Sequence, residues 1–230
     1  MNAKVLTVWI VLMIFFVSLL GVGARISLEE CGPSATYGPE YGVVKIITDV
    51  GTGTGFVVHE SGVIVTAGHM FWDEYRGIEI PVEGRVIFKD GREYEFHAGY
   101  ASPIQYSIGE DRDYAFIKLD TEDTFETVTI SNATDTVVPG TDVYIIGMPL
   151  GVNEWHWSFG DIAATVDEGE FEYELDVDAN GGNSGGPLFL EDTVIGILVS
   201  GYGNTDISFA TMFDSYLIDE LNSFIYQMTR

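Results

Sequence analysis

A serine set among glycines, Gly182-Asn183-Ser184-Gly185-Gly186-Pro187, is where side-chain type and spacing could do covalent chemistry. A serine hydroxyl is a weak nucleophile at its own pKa and needs a base beside it. The acyl transfer it would perform also needs N–H donors aimed at a developing oxyanion. Glycines around Ser184 let the backbone turn successive N–H groups into one hollow, and those of Gly182 and Ser184 are the natural pair. A glycine-rich loop ahead of a strand is also a common turn, so the motif gains meaning only from partners. Two are present. Val65-Thr66-Ala67-Gly68-His69 ends an apolar run with a histidine just beyond it. Asp113-Tyr114-Ala115-Phe116-Ile117-Lys118-Leu119 opens another with an aspartate. Asp111 shares the strand parity of Asp113 and competes with it, reading otherwise as a solvated turn residue. His69 would take the proton of Ser184 and pass it to a leaving amine. The aspartate would fix the imidazole tautomer and stabilise its charged form.

The other candidates do not assemble. His59, His97 and His156 lack metal-ligand spacing and read as surface or packing residues. Cys31 is the single cysteine, which excludes an intrachain disulfide and a zinc site built on several thiolates. Gly51-Thr52-Gly53-Thr54-Gly55 is no phosphate loop, because no Lys-Ser or Lys-Thr follows and a strand comes next. No metal and no cofactor is expected. Trp155 and Trp157, around His156, suit either a substrate groove or rim packing. Phe171, Tyr173, Leu175 and Val177 alternate with Glu170, Glu172, Glu174, Asp176 and Asp178. In a strand this turns four apolar side chains inward and five carboxylates outward. The acidic row reads as a solvated face, or else as an acidic wall or weak Ca²⁺ site.

The chain has 230 residues with 36 acids against 10 bases, a formal charge of −26. Phosphate backbones would be repelled, so nucleic acid is not a partner. The charge fits either adaptation to high salt, where the Debye length falls to about 3 Å at 1 M, or an acidic exported protein. Hydrophobic residues make up 46% of the chain, enough for a packed core rather than wholesale disorder.

The elements that must position Ser184, His69 and Asp113 read as strands. Short apolar runs recur between turn signals from Val43 to Thr211, with hairpin signals at Ser61-Gly62 and Asp90-Gly91. Regular short strands argue a sandwich or a pair of barrels. Phe213, Leu217, Ile218, Leu221, Phe224 and Ile225 recur at helical spacing, which predicts one C-terminal helix over 213–228 packed on the barrels. Between Lys4 and Arg25 there is no charge. That run is long enough to span a bilayer of about 30 Å and also suits a signal peptide ending at the small residues Val22-Gly23-Ala24. Residues 1–24 are therefore expected to be a signal peptide or membrane anchor, touching the membrane through residues 5–24. The chain from about Ser27 onward is expected to be exported, either secreted or anchored.

Taken together, these motifs resemble a chymotrypsin-fold, trypsin-like serine peptidase of the HtrA (Deg) type. The resemblance rests on Gly53-Thr54-Gly55-Phe56, Val65 to His69, Gly147-Met148-Pro149-Leu150-Gly151, Asn180 to Leu188 and Ile207-Ser208-Phe209-Ala210, in that order. It covers roughly residues 42–228. It implies an all-β fold of two six-stranded antiparallel barrels with the C-terminal helix. The first barrel would span 42–133, the second with the helix 134–230, and 25–41 would be a linker. It implies a triad of His69, Asp113 and Ser184, with Asp113 rather than Asp111 at the family spacing to Ala115. The oxyanion hole would be the N–H groups of Gly182 and Ser184.

Departures qualify the likeness. Met70 stands where secreted animal trypsins carry a cysteine. Asn183 stands where they carry the aspartate that pairs with a freed N-terminus, so activation by that ion pair is not expected. A PDZ domain usually follows the protease in HtrA proteins and is not expected before Arg230. Asp178, six residues before Ser184, would lie at the base of the primary pocket in the trypsin-like register and select Arg or Lys. In the HtrA-type register the pocket is apolar and Asp178 is merely exposed. The expected activity is endopeptidase cleavage of protein or peptide substrates. The alternative is a catalytically silent or partner-activated peptide-binding protein, with Gly181-Gly182 as the flexible element.

Overall fold

The computed structural model describes residues 37–49, 51–73, 78–79, 83–97, 104–108, 112–165, 173–201 and 207–230. The expected signal or anchor segment, Cys31, Asp111, Glu170, Phe171 and Glu172 lie outside the described residues. Among the described residues no helix is long and apolar enough to cross a membrane.

The chain forms two antiparallel barrel-like sheets and one C-terminal helix. Its strands are β1 (Val43–Thr48), β2 (Thr52–His59), β3 (Val63–Thr66), β4 (Trp72–Asp73), β5 (Ile78–Glu79), β6 (Glu83–Ile87), β7 (Glu93–His97), β8 (Ile104–Ile108) and β9 (Asp113–Lys118), then β10 (Thr129–Ile130), β11 (Asp142–Gly147), β12 (His156–Thr165), β13 (Tyr173–Asp176), β14 (Pro187–Leu190), β15 (Thr193–Gly201) and β16 (Ile207–Met212). The first sheet runs in the order β7-β6-β1-β2-β3-β9-β8, and β4 pairs separately with β5. In the second, β15-β14-β11-β12-β13-β16 form a ring of six that β16 closes on β15, while β10 adds in parallel to β15.

Burial explains why these segments became strands. In β3 all four residues are buried, and in β9 the first five are. Such strands are covered on both faces. One face fills the first barrel. The other meets side chains from beyond it, since the same apolar cluster includes Ile146, Phe189 and Ile197 of the second sheet and Phe213, Leu217, Leu221 and Phe224 of the C-terminal segment. Val143, Ile145, Ile162, Leu175, Leu188 and Leu198 fill the second barrel.

Helix α1 (Ser215–Met228) starts at Asp214, whose side chain accepts the Leu217 N–H at 2.8 Å. A carboxylate at this position satisfies one of the orphan donors of the first turn. The helix buries Leu217, Leu221 and Phe224, and Phe224 lies 5.7 Å from Phe116 of β9 between ring centroids. Leu217, Leu221 and Phe224 thus lay the helix against the first sheet, on the strand that begins with Asp113.

Candidate active site

His69 and Asp113 meet because of strand register. β3 and β9 are antiparallel, with Thr66 opposite Ala115. Asp113 therefore begins β9 at the end of the ladder where β3 stops, and His69 lies on the 3₁₀ turn Gly68–Phe71 just past it. Asp113 Oδ2 is 2.5 Å from His69 Nδ1, and Oδ1 accepts the backbone N–H of His69 at 2.9 Å. A carboxylate only accepts, so Nδ1 carries a ring proton, and in the neutral imidazole Nε2 is then the acceptor. Asp113 is buried, while 38% of the His69 side chain stays exposed. The carboxylate is thus shielded and the imidazole ring is accessible. The Asp113 N–H reaches Thr211 Oγ1 at 3.3 Å, and Thr211 is fully buried in β16 of the second sheet.

Ser184 lies on the loop between β13 and β14. Asn183 N–H donates to Asn180 O at 3.0 Å and Gly186 N–H to Asn183 O at 2.9 Å, which curls the loop. Gly185 N–H donates to Leu198 O and Leu198 N–H to Gly186 O, which pins it to β15. Ser184 O accepts the Thr54 N–H of β2 at 2.8 Å, so the loop also bonds to the first sheet. Gly185 has φ +83°, and a Cβ there would fall 2.0 Å from Thr66 Oγ1 and 2.8 Å from Ala67 N. That contact lies two residues before His69 and brings the serine loop against the histidine turn. No hydrogen bond links the Ser184 hydroxyl to the His69 ring among the described residues. Such bonds often tighten only when substrate binds.

The segment expected to carry the oxyanion donors is shaped from behind. Gly182 has φ +102°, and a Cβ would fall 2.3 Å from Met148 O. Only glycine can lie this close to the Met148–Gly151 turn. Leu150 N–H donates to Gly181 O at 2.5 Å. Thr54 Oγ1 donates to Gly182 O at 2.7 Å and accepts the Met148 N–H at 3.2 Å. No backbone bond within the described residues uses the N–H of Gly182 or of Ser184. Thr54 lies in the Gly53-Thr54-Gly55-Phe56 motif, but its bridging role is not legible in the sequence because both partners are distant along the chain.

Of the remaining candidates, Asp178 is exposed and accepts a hydrogen bond from Asn180 Nδ2 at 3.1 Å. Along β13 and just beyond it, Tyr173, Leu175 and Val177 are buried, while Asp176 and Asp178 are exposed. His59 Nδ1 pairs with Ser61 Oγ at 2.9 Å, and His156 is exposed on β12. Trp155 Nε1 donates to Val43 O at 2.8 Å, a packing role. Among the described residues no three His, Cys, Asp or Glu side chains cluster as metal ligands.

A zebrafish (Danio rerio) protein, serine protease HTRA1A, is 32% identical over 159 residues, covering 64% of this chain and 30% of its own. A probable periplasmic serine endoprotease DegP-like protein of Halomonas elongata is 35% identical over 153 residues, covering 63% and 28%. The chain thus spans under a third of the length of these relatives. A solved structure of an HtrA-type protease with a tripeptide superposes with a TM-score of 0.62 at 24% identity, over 81% of this chain and 60% of that one, and speaks for the fold. The trypsin-like peptidase domain matches residues 53–197, which hold His69, Asp113 and Ser184, and the chain belongs to that family.

Proposed function

We propose that this protein is a serine endopeptidase in which Ser184 attacks the peptide carbonyl and forms an acyl-enzyme that water then hydrolyses. The observation that carries the reading is the double hold of Asp113 on His69, through ring Nδ1 and backbone N–H. It leaves Nε2 as the one basic atom free to take the Ser184 proton. Gly182 and Ser184 would supply the oxyanion donors. Residues 42–133 and 134–230 are taken as the two barrels, with β10 (Thr129–Ile130) of the first span joined to the second sheet, and the name of the Halomonas relative supports an extracytoplasmic protease domain. The exposure of Asp178 supports a merely exposed carboxylate rather than one at the base of the primary pocket.

Fluorophosphonate labelling of the chain lacking residues 1–24 tests this, at low and at multimolar salt, beside Ser184→Ala and His69→Ala. Labelling that both substitutions abolish is expected. A folded protein that never labels would sink the reading. The missing Ser184–His69 hydrogen bond favours a second reading, in which a substrate or partner first orders the serine loop. Labelling that appears only after a peptide is added would select it.

A further inference from the structure

Lys45 is an anomaly of placement. It sits in the middle of the β-branched run Val43-Val44-Lys45-Ile46-Ile47 of β1, and only 6% of it is exposed. A lysine is almost never buried without partners. Here its ammonium meets three oxygens: Gly151 O at 2.7 Å, Asn153 Oδ1 at 2.9 Å and Val152 O at 3.3 Å. Three donors face three acceptors, which accounts for the whole hydrogen-bonding capacity of the group. The partners lie more than a hundred residues away in sequence. They also belong to one segment, the turn that follows β11.

That turn forms the backing of the oxyanion segment. Its Leu150 N–H holds Gly181 O, and its Met148 O, Leu150 N and Gly151 N would lie 2.3 to 3.3 Å from a Cβ on Gly182. Gly182 therefore rests on the turn with no slack, and a small shift of Gly151 moves it. The turn is also conformationally costly. Leu150 has φ +56° and Gly151 φ +71°, and Leu150 is 79% exposed. A non-glycine residue in the left-handed region persists only where surrounding contacts hold it. Leu150 has almost no side-chain packing to do so. Besides the Leu150 N–H on Gly181 O and the Met148 N–H on Thr54 Oγ1, the hold comes from its neighbours, Gly151 to Asn153, through Lys45. Further along, Trp155 Nε1 on Val43 O ties the same segment to β1 again.

We propose that Lys45 is a positioning residue of the active site. Its ammonium fixes the 150–153 turn, and the turn fixes Gly182 so that its N–H points into the oxyanion hollow. A cation from the first sheet thus presets a donor on the second. This rests on the endopeptidase reading for its catalytic consequence, though not for the mechanical one.

Two measurements separate these consequences. The first is amide hydrogen exchange of the full chain, which needs no activity. Lys45→Met is expected to speed exchange in peptides covering 143–153 and 179–188 while leaving 61–67 of the first sheet unchanged. Equal exchange in both variants, or a rise spread over the whole molecule, would overturn the proposal. The second is steady-state hydrolysis of a peptide ester. Loss of a single oxyanion donor costs about 10²–10³ in kcat. A misplaced donor is expected to cost about 10- to 100-fold in kcat with KM within about twofold. Asn153→Asp keeps an acceptor for Lys45 and is expected to retain activity. Asn153→Leu, at an exposed position, is expected to lose about two- to fivefold in kcat. A KM effect without a kcat effect, or equal behaviour of the two Asn153 variants, would overturn the positioning role. If the unsubstituted chain hydrolyses nothing, the endopeptidase reading fails while the exchange result still decides for or against Lys45.

Discussion

His69 and Asp113 stand on the first sheet, where neighbouring strands are packed from both faces and the functional contacts are made by side chains. Ser184 stands on a loop of the second sheet, where the contacts are made by the backbone. Two carboxylate oxygens hold the histidine, one on the ring and one on the main chain. Six backbone hydrogen bonds, among them Thr54 N–H to Ser184 O and Gly185 N–H to Leu198 O, hold the serine loop. The difference has a chemical logic. In the proposed mechanism the base keeps one tautomer, which a shielded carboxylate enforces. The proposed oxyanion donors are backbone N–H groups, which chain geometry aims. The first half should accordingly fail by loss of a functional group, and the second by insertion of a carbon atom.

The largest expected effect is on the first half. In Asp113→Asn, Oδ1 can still accept the His69 backbone N–H, which turns the amide NH₂ toward Nδ1. Nδ1 must then accept, the proton moves to Nε2, and the base is lost. A fall in kcat of about 10⁴-fold is expected with the fold retained. Steady-state kinetics and circular dichroism check this together. A loss below tenfold would mean that the carboxylate does not set the tautomer, and the contrast between the halves would collapse.

On the second half, Gly185→Ala is expected to act through stability. The new Cβ would meet Thr66 Oγ1 at 2.0 Å and Thr54 O at 2.2 Å, at φ +83°. Left-handed strain of about 1–3 kcal/mol and overpacking of about 1–3 kcal/mol add to roughly 4 kcal/mol. Gly91 has nearly the same φ, +88°, on a hairpin with nothing within 4 Å of the site of a Cβ. Gly91→Ala should cost only about 1–2 kcal/mol. Urea unfolding of both variants measures the difference, which is the cost of the inter-sheet contact alone. Equal losses would show that the serine loop can move off β3 freely.

This contrast also explains what was legible in the sequence. His69, Asp113 and the serine loop each lie in a local motif, so types and spacing exposed them. Strands with one-sided or complete burial, such as β3, β9 and β14, were visible as apolar runs. The first half of β12 was not, because residues His156 to Gly160 are mostly exposed and no hydropathy pattern marks them. β2 begins at Thr52, three residues earlier than its apolar run, because Gly53 weakens the strand signal where Met70 and Ser184 press closely. β8 left a weak trace, since Ile104-Gln105-Tyr106-Ser107-Ile108 alternates apolar and polar residues between Ser102-Pro103 and Gly109 but is only five residues long. Lys45 left one trace, a lysine inside an apolar run in a chain with four lysines. Its partners could not be read, because contacts between residues more than a hundred apart are products of topology.

A smaller effect joins the halves at the start of β9. Arg112, next to Asp113, donates to Asp214 Oδ1 at 3.0 Å and Oδ2 at 2.6 Å, and Asp214 caps α1. Burial works against the charged form of Asp214. The Arg112 hydrogen bonds, the Leu217 N–H and the charge of Arg112 outweigh it and hold the carboxyl below its ordinary range. A depressed folded pKa means that the unfolded chain takes up the proton first as the pH falls. The pair therefore stabilises the fold above the ordinary carboxylate range, near pH 4, and the stabilisation is lost as the pH falls through the folded value. Arg112→Met should cost about 1–2 kcal/mol at pH 7, and the two stability curves should converge as the pH falls through the depressed pKa of Asp214. The other acids are common to both variants and cancel in the difference. Activity should change little if Asp113 keeps its Thr211 and His69 partners. A stability difference that stays constant from pH 7 to pH 2 would show that Arg112 acts through its packing on the Tyr216 ring, 4.9 Å from the ring centroid, rather than through the Asp214 charge.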